Sequence, residues 1–330
     1  MNGLVIDNLT LDIHAETGVT SILRGVDLVV EEGHVQGLAG ESGSGKTMTG
    51  LAVIGLEPKK ARITGRIMLG DRDLTTLTGS RLAAVRGKSV AMVFQDPSTS
   101  LHPQLSIGSQ LTDHVRHHLR LSKTEAIERA VKGLDRVGIA SPRSALSRFP
   151  HEFSGGQRQR IAIAIALACD PEVVIMDEPT TALDVTVQAG VLELIRSLVD
   201  SLGLAVLFIT HDLGVMSAIA DDVAVMRHGV VVENGPCSSV FTHPQHEYTS
   251  SLLASLPGTV SGPQTRDDLV RLATQNVTIV TQSVIPCEVA ESRLHSCATA
   301  DSGPCDFAQG DGKKVAQGDG EKVTQEGGGS

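Results

Sequence analysis

Solid apolar runs of four or five residues, each stopped by polar residues or glycine, are the most regular feature of this chain. Val90-Ala91-Met92-Val93-Phe94, Val173-Val174-Ile175-Met176 and Ala205-Val206-Leu207-Phe208-Ile209 have the length of strands covered on both faces, and Val35-Gln36-Gly37-Leu38-Ala39, with one polar residue, reads as a short buried strand beside them. Residues 4–14 alternate instead (Val5, Ile6, Leu9, Leu11, Ile13), and 25–30 and 65–69 read as further strands. Those three predict a β-rich N-terminal lobe. Helical spacing fills the intervals: 48–56, most of 98–149 with a clear segment at 123–137, 161–168, and a stretch reaching about Ser201. A closing hairpin is predicted at 223–226 and 230–232, around His228-Gly229. Solid strands alternating with helices define an open α/β sheet.

Past residue 256 the pattern fades. Residues 257–307 have weak periodicity and read as an appended extension. From Ala308 the octet Ala-Gln-Gly-Asp-Gly-x-Lys-Val occurs twice in succession, and the chain closes on Gly327-Gly328-Gly329-Ser330, the composition of a linker. So little apolar surface cannot offset the entropy of ordering, so 308–330 read as a disordered, glycine-rich tail.

Composition narrows the class. Of 330 residues 41% are hydrophobic but only 2% aromatic, with no Trp and one Tyr (Tyr248), so the core must rest on aliphatic side chains. The formal net charge is −10; from Pro257 onward ten acidic residues outnumber six basic ones, and the remainder is also net negative. Neither part offers the basic face that follows a phosphate backbone, which argues against nucleic acid as a partner. The apolar runs are too short to span a membrane. Five cysteines in a chain this long do not read as a disulfide framework, and together with an N-terminus lacking a secretory pattern they point to the cytoplasm.

The candidate chemistry begins right after the first solid strand. Gly40-Glu41-Ser42-Gly43-Ser44-Gly45-Lys46-Thr47 fits G-x-x-x-x-G-K-[ST] between a strand and a helix, the context a phosphate-binding P-loop requires. Its glycines let backbone N–H groups turn towards an anion, and the helix N-terminus adds partial positive charge. Lys46 is placed to reach the β- and γ-phosphates and Thr47 to help hold Mg²⁺. The run at 173–176 ends in Asp177-Glu178, two carboxylates at the end of a parallel strand, where open α/β sheets put their ligands. His114, His117 and His118 lie on a polar helical stretch without carboxylate or cysteine partners at ligand spacing, and read as a solvated face.

In order along the chain stand the P-loop, Gln95, Ser154-Gly155-Gly156-Gln157, Asp177-Glu178, Asp184 and His211. This arrangement resembles the ATP-binding subunits of ABC transporters over roughly 4–257. Phe94-Gln95-Asp96-Pro97, the stretch from Pro150 to Arg160, 180–188, 210–215, and His243-Pro244 with Tyr248-Thr249 are similar to the oligopeptide, dipeptide and nickel importers in particular. The resemblance implies an α/β fold: a P-loop NTPase (RecA-like) core with an N-terminal antiparallel β lobe and a helical subdomain at about 96–165, together making an ATP-binding domain over 1–256.

It also implies roles. Glu178 would be the general base and His211 would hold the attacking water; Gln95, Thr47 and Asp177 would serve Mg²⁺, and His14 would take the place of the aromatic that stacks on adenine. Ser154, Gly155, Gly156, Gln157 and Asp184 would complete the nucleotide site of a neighbouring subunit. The implied cofactors are ATP and Mg²⁺. The implied partners are two permeases, a second ATP-binding subunit (a different one in preference to a second copy) and an extracytoplasmic solute-binding protein. The implied place is the cytoplasmic face of the cell membrane. Many such importers carry a C-terminal iron–sulfur centre; Cys287, Cys297 and Cys305 are spaced more widely than that pattern, and a fourth ligand is missing, which argues against a cluster. A soluble ABC-type ATPase acting on ribosomes or DNA, and the ATPase of an exporter, are the alternatives. A single core, acidic charge and the importer-type sequence around Gln95 weigh against both.

Overall fold

The computed structural model describes residues 3–15, 18–181 and 183–255. Its strands are β1 (Leu4–Ala15), β2 (Gly18–Val30), β3 (Val35–Ala39), β4 (Ala61–Leu69), β5 (Arg72–Asp73), β6 (Val90–Val93), β7 (Val173–Asp177), β8 (Ala205–Ile209), β9 (Asp222–Arg227) and β10 (Val230–Pro236). Its helices are α1 (Lys46–Val53), α2 (Gly79–Val85), α3 (Pro97–Ser100), α4 (Ile107–Leu119), α5 (Lys123–Arg136), α6 (Pro142–Ala145), α7 (Gly155–Leu167), α8 (Val185–Leu202), α9 (Leu213–Ile219), α10 (Cys237–Thr242) and α11 (Glu247–Ala254).

Two sheets result. An antiparallel sheet has the order β2-β1-β4-β5, and a second has the order β10-β9-β3-β8-β7-β6, parallel except for β10. Every residue of β3, β7 and β8 is buried, as strands covered on both faces must be. Alternation sorts their side chains between two cores. Val173, Ile175, Leu207 and Ile209 meet Leu4, Ile6, Leu11 and Leu28 of the antiparallel sheet, together with Ala52 and Val53 of α1. Val174, Met176, Val206 and Phe208 face α7, α8 and α9 through residues such as Ile161, Val191, Ile195 and Met216. This is the α/β core with a β-rich N-terminal lobe that the pattern predicts, and the lobe is antiparallel as the resemblance implies.

The helical insert starts from two serine caps. Ser106 caps α4, which buries Ile107, Leu111 and Val115 along one face. Ser122 forms a capping box with Glu125, and α5 buries Ala126, Ala130 and Leu134. The histidines of α4 need a correction: His117 is exposed, but His114 is half-buried with its ring against Gly87, where burial holds its pKa below the usual range. It packs the insert onto the core instead of facing solvent. Among the described residues no group of three His, Cys, Asp or Glu side chains is arranged to hold a metal, and no helix is long and apolar enough to cross a membrane. The extension at 257–307, the tail and Cys287, Cys297 and Cys305 lie outside the described residues.

Candidate nucleotide site

Strand order assembles the site. Reading β3-β8-β7-β6 across the sheet, the chain leaves the C-terminal ends into the P-loop, His211, Asp177-Glu178 and Gln95 in turn. Four segments far apart in sequence therefore share one edge, where such sheets bind ligands.

The P-loop is held by its surroundings. Gly229 N–H donates to Ser44 O at 2.9 Å and Ser44 N–H to Glu41 O at 3.2 Å. Gly40 has φ +146°, and a Cβ there would come within 2.2 Å of Met226 O, so no other residue fits. Gly43 has φ +81° with open space where a Cβ would stand. No side chain caps α1 at Gly45, so its first N–H groups remain directed out of the helix end. Lys46 is 6% exposed, and its ammonium donates to Gly40 O and Glu41 O, both at 2.8 Å. Burial lowers its pKa, while Glu178, Asp177 and Glu41 oppose that shift. Ser44 Oγ is buried without a hydrogen-bond partner. An orphaned hydroxyl, a buried ammonium and an uncapped helix start converge on one loop, and that donor set suits a polyphosphate.

Both carboxylates are fixed. Thr47 Oγ1 donates to Asp177 Oδ1 at 3.1 Å. Asp177 is 4% exposed; burial raises its pKa, Thr47 lowers it, Glu178 raises it and Lys46 lowers it. A hydroxyl and a hard carboxylate side by side next to a phosphate loop fit the donor set for Mg²⁺. Glu178 takes the left-handed backbone conformation (φ +46°), and its N–H donates to Ile209 O at 2.9 Å, tying the ends of β7 and β8. That conformation is costly for a non-glycine residue and is typical of functional turns. Its carboxylate meets His211 Nδ1 at 2.7 Å on Oε1, and accepts from Gln95 Nε2 at 2.8 Å and Thr181 Oγ1 at 3.0 Å on Oε2.

Ser154 and Asp184 instead act locally as helix caps. Ser154 Oγ accepts from Gln157 N–H while Gln157 Oε1 accepts from Ser154 N–H, a capping box that starts α7. Asp184 Oδ1 accepts from Val187 N–H at the start of α8. The two helix starts are in contact: a Cβ on Gly156 would lie 2.3 Å from Val187 Cγ1, and one on Gly155 would lie 3.8 Å from Leu183. His14 is exposed in β1 with Val19 as its ladder partner, and none of the hydrogen bonds described at 40–47 or Glu178 includes it. Sequence reading did not single out Thr181 or Tyr248 as site residues. Thr181 follows the carboxylate pair within one turn, and Tyr248 reaches the P-loop from far along the chain, where no local spacing announces it.

Comparison with known proteins agrees with this geometry. Residues 23–181 match the family described as ABC transporter. The chain is 45% identical over 267 residues to the probable peptide ABC transporter ATP-binding protein y4tR of Sinorhizobium fredii, covering 80% of each. It is 44% identical over 256 residues to the oligopeptide transport ATP-binding protein OppD of Bacillus subtilis, covering 77% of this chain and 72% of that one. Among solved structures, the dimeric ATP-binding cassette MJ0796 in a post-hydrolysis state bound to ADP and Pi is similar with a TM-score of 0.63 and 26% identity, over 71% of this chain and 98% of that one. Motifs in order, their meeting at one sheet edge and these likenesses lead to one statement: the chain belongs to the ABC transporter family, as an ATP-binding component.

Proposed function

We propose that this protein is the ATP-hydrolysing subunit of a peptide import system, peripheral on the cytoplasmic face of the membrane. The observation that carries the reading is the Glu178 carboxylate, held between His211, Gln95 and Thr181 beside the Thr47–Asp177 pair and the P-loop. The loop N–H groups, Lys46 and Ser44 bind the phosphates of ATP. Thr47, Asp177 and Gln95 hold Mg²⁺, which when bound neutralises charge on the phosphate oxygens. A water at Glu178 loses its proton to that carboxylate and attacks the γ-phosphate in line with the leaving oxygen; His211 holds the water and Gln95 relays the state of the site to the helical insert. His14, exposed near the end of β1, provides the adenine platform. Ser154, Gly155, Gly156, Gln157 and Asp184 close over the nucleotide of a second ATP-binding subunit.

Two permeases and an extracytoplasmic binding protein would complete the system and choose the solute, a dipeptide, an oligopeptide or a related solute such as a nickel chelate. The peptide names of the relatives y4tR and OppD support the peptide choice. Purifying the protein from its native membrane and identifying what accompanies it tests this directly. Two permeases, with ATPase activity raised by a peptide-loaded binding protein, are expected. Ribosomal proteins or DNA in their place would overturn it.

A further inference from the structure

Tyr248 is the only tyrosine of the chain, and it lies in α11, beyond the residues 23–181 that match the family. The residue is 7% exposed, and its hydroxyl oxygen accepts the N–H of Glu41, the second residue of the P-loop, at 3.2 Å. The Arg227 guanidinium sits 4.7 Å from the ring centroid, a cation over an aromatic face. Arg227 ends β9 next to Met226, whose carbonyl oxygen stands 2.2 Å from where a Cβ on Gly40 would be. The first turn of the P-loop thus lies between the end of β9 and Tyr248.

The helix that carries Tyr248 is itself anchored to the core. The Glu233 carboxylate of β10 accepts from Gln245 N–H at 2.8 Å and His246 N–H at 3.1 Å, just before α11. His246 Nδ1 then accepts from Tyr248 N–H at 3.0 Å, capping the helix start. Glu233, His246, Tyr248 and Glu41 form a continuous path from the last strand of the sheet to the phosphate loop.

We propose that Tyr248 is a positioning residue for nucleotide binding: its hydroxyl fixes the Glu41 peptide, and through it the outward N–H groups of the P-loop, so that a helix after the ATPase core sets the affinity for ATP. This rests on the reading of 40–47 as the ATP site. The Tyr248 hydroxyl bonds the loop backbone at Glu41 and none of Glu178, Gln95 or His211, so its effect falls on the KM for ATP and not on kcat.

The test uses full-length protein in three forms: wild type, Tyr248→Phe and Lys46→Ala. ATP affinity is measured by equilibrium titration with a fluorescent ATP analogue, and the Glu41 amide is followed by hydrogen exchange. Tyr248→Phe keeps the ring, its burial and the Arg227 contact, and loses only the hydroxyl. It should weaken ATP binding about fivefold and speed exchange at Glu41 by a similar factor, the scale of one neutral hydrogen bond. Its melting temperature should fall by no more than about 2–4 °C, the loss of one hydrogen bond in a domain of this size, which separates positioning from unfolding. Tyr248→Phe with wild-type affinity and wild-type exchange, beside Lys46→Ala that has lost binding, overturns the inference alone. Lys46→Ala with wild-type affinity overturns the ATP-site reading beneath it.

Discussion

At the scale of single residues, Asp177 and Glu178 are neighbours with opposite surroundings. Asp177 is enclosed at the strand end, and burial, reinforced by Glu178, raises its pKa against the pull of Thr47 and Lys46. A carboxyl whose pKa is higher folded than unfolded is costly to ionise in the native state. Its charge therefore subtracts stability above the folded pKa, and that subtraction disappears as pH falls below the unfolded value. Asp177→Asn, which keeps an oxygen for Thr47, should thus raise the melting temperature of nucleotide-free protein at neutral pH. The gain should shrink as pH drops through the ordinary aspartate range. A gain of equal size at every pH would show that charge burial is not its cause. Glu178 spends its oxygens on three side chains, and its left-handed φ directs it back over the sheet edge. Of these three partners, Gln95 and His211 were legible in sequence through the motif order of the resemblance, and Thr181 was not. The resemblance assigns a role to each of the first two, just past the ends of β6 and β8, whereas Thr181 lies in the stretch 180–188, which resembles the importers without a role for that hydroxyl.

At the scale of elements, the starts of α7 and α8 are packed with no room to spare. Gly156→Ala would place a Cβ 2.3 Å from Val187 Cγ1. We expect it to lower unfolding free energy by about 1–3 kcal/mol, the usual range for overpacking. Chemical denaturation measures this, and adding Val187→Ala should restore most of the loss. No rescue by the second change would place the strain elsewhere. The solid strands β3, β6, β7 and β8 were legible almost to the residue, because burial on both faces keeps them nearly all apolar, with Gln36 the one polar residue inside β3 and Asp177 closing β7. The outer part of β2 was not, since 18–24 are mostly exposed or half-buried and gain their register from the ladder with β1. The short helices α2, α9, α10 and α11 escaped for another reason. Each has six to eight residues, too few for helical periodicity to rise above chance, and they are held by tertiary contacts instead.

At the scale of the whole molecule, Ser154 and Asp184 are the residues whose proposed chemistry lies outside their own chain. Their local work as caps explains their side-chain hydrogen bonds but not why both remain exposed at the starts of α7 and α8. If they close over a neighbour's nucleotide, Lys46→Ala and Ser154→Arg damage different composite sites. Mixing the two mutants would then restore part of the activity in a self-paired protein, because one composite site escapes both lesions. Our expectation is a distinct second ATP-binding subunit. The mixture should therefore recover nothing, and wild-type protein should hydrolyse ATP slowly until that subunit is added. Recovery in the mixture would establish self-pairing, and full activity of Ser154→Arg in the assembled transporter would remove the shared site altogether.

In the proposed mechanism the P-loop binds ATP while Glu178 takes the proton of the attacking water. The most direct measurement compares ATP binding and ATP hydrolysis in Lys46→Ala and Glu178→Gln, in the assembled transporter. An amide cannot accept that proton, so Glu178→Gln should bind ATP like wild type and lose hydrolysis by about a hundredfold or more. Lys46→Ala should lose binding, since its charge-assisted contact to the phosphates is gone. Hydrolysis near wild type in Glu178→Gln, or an equal loss of ATP affinity in both variants, would contradict the account.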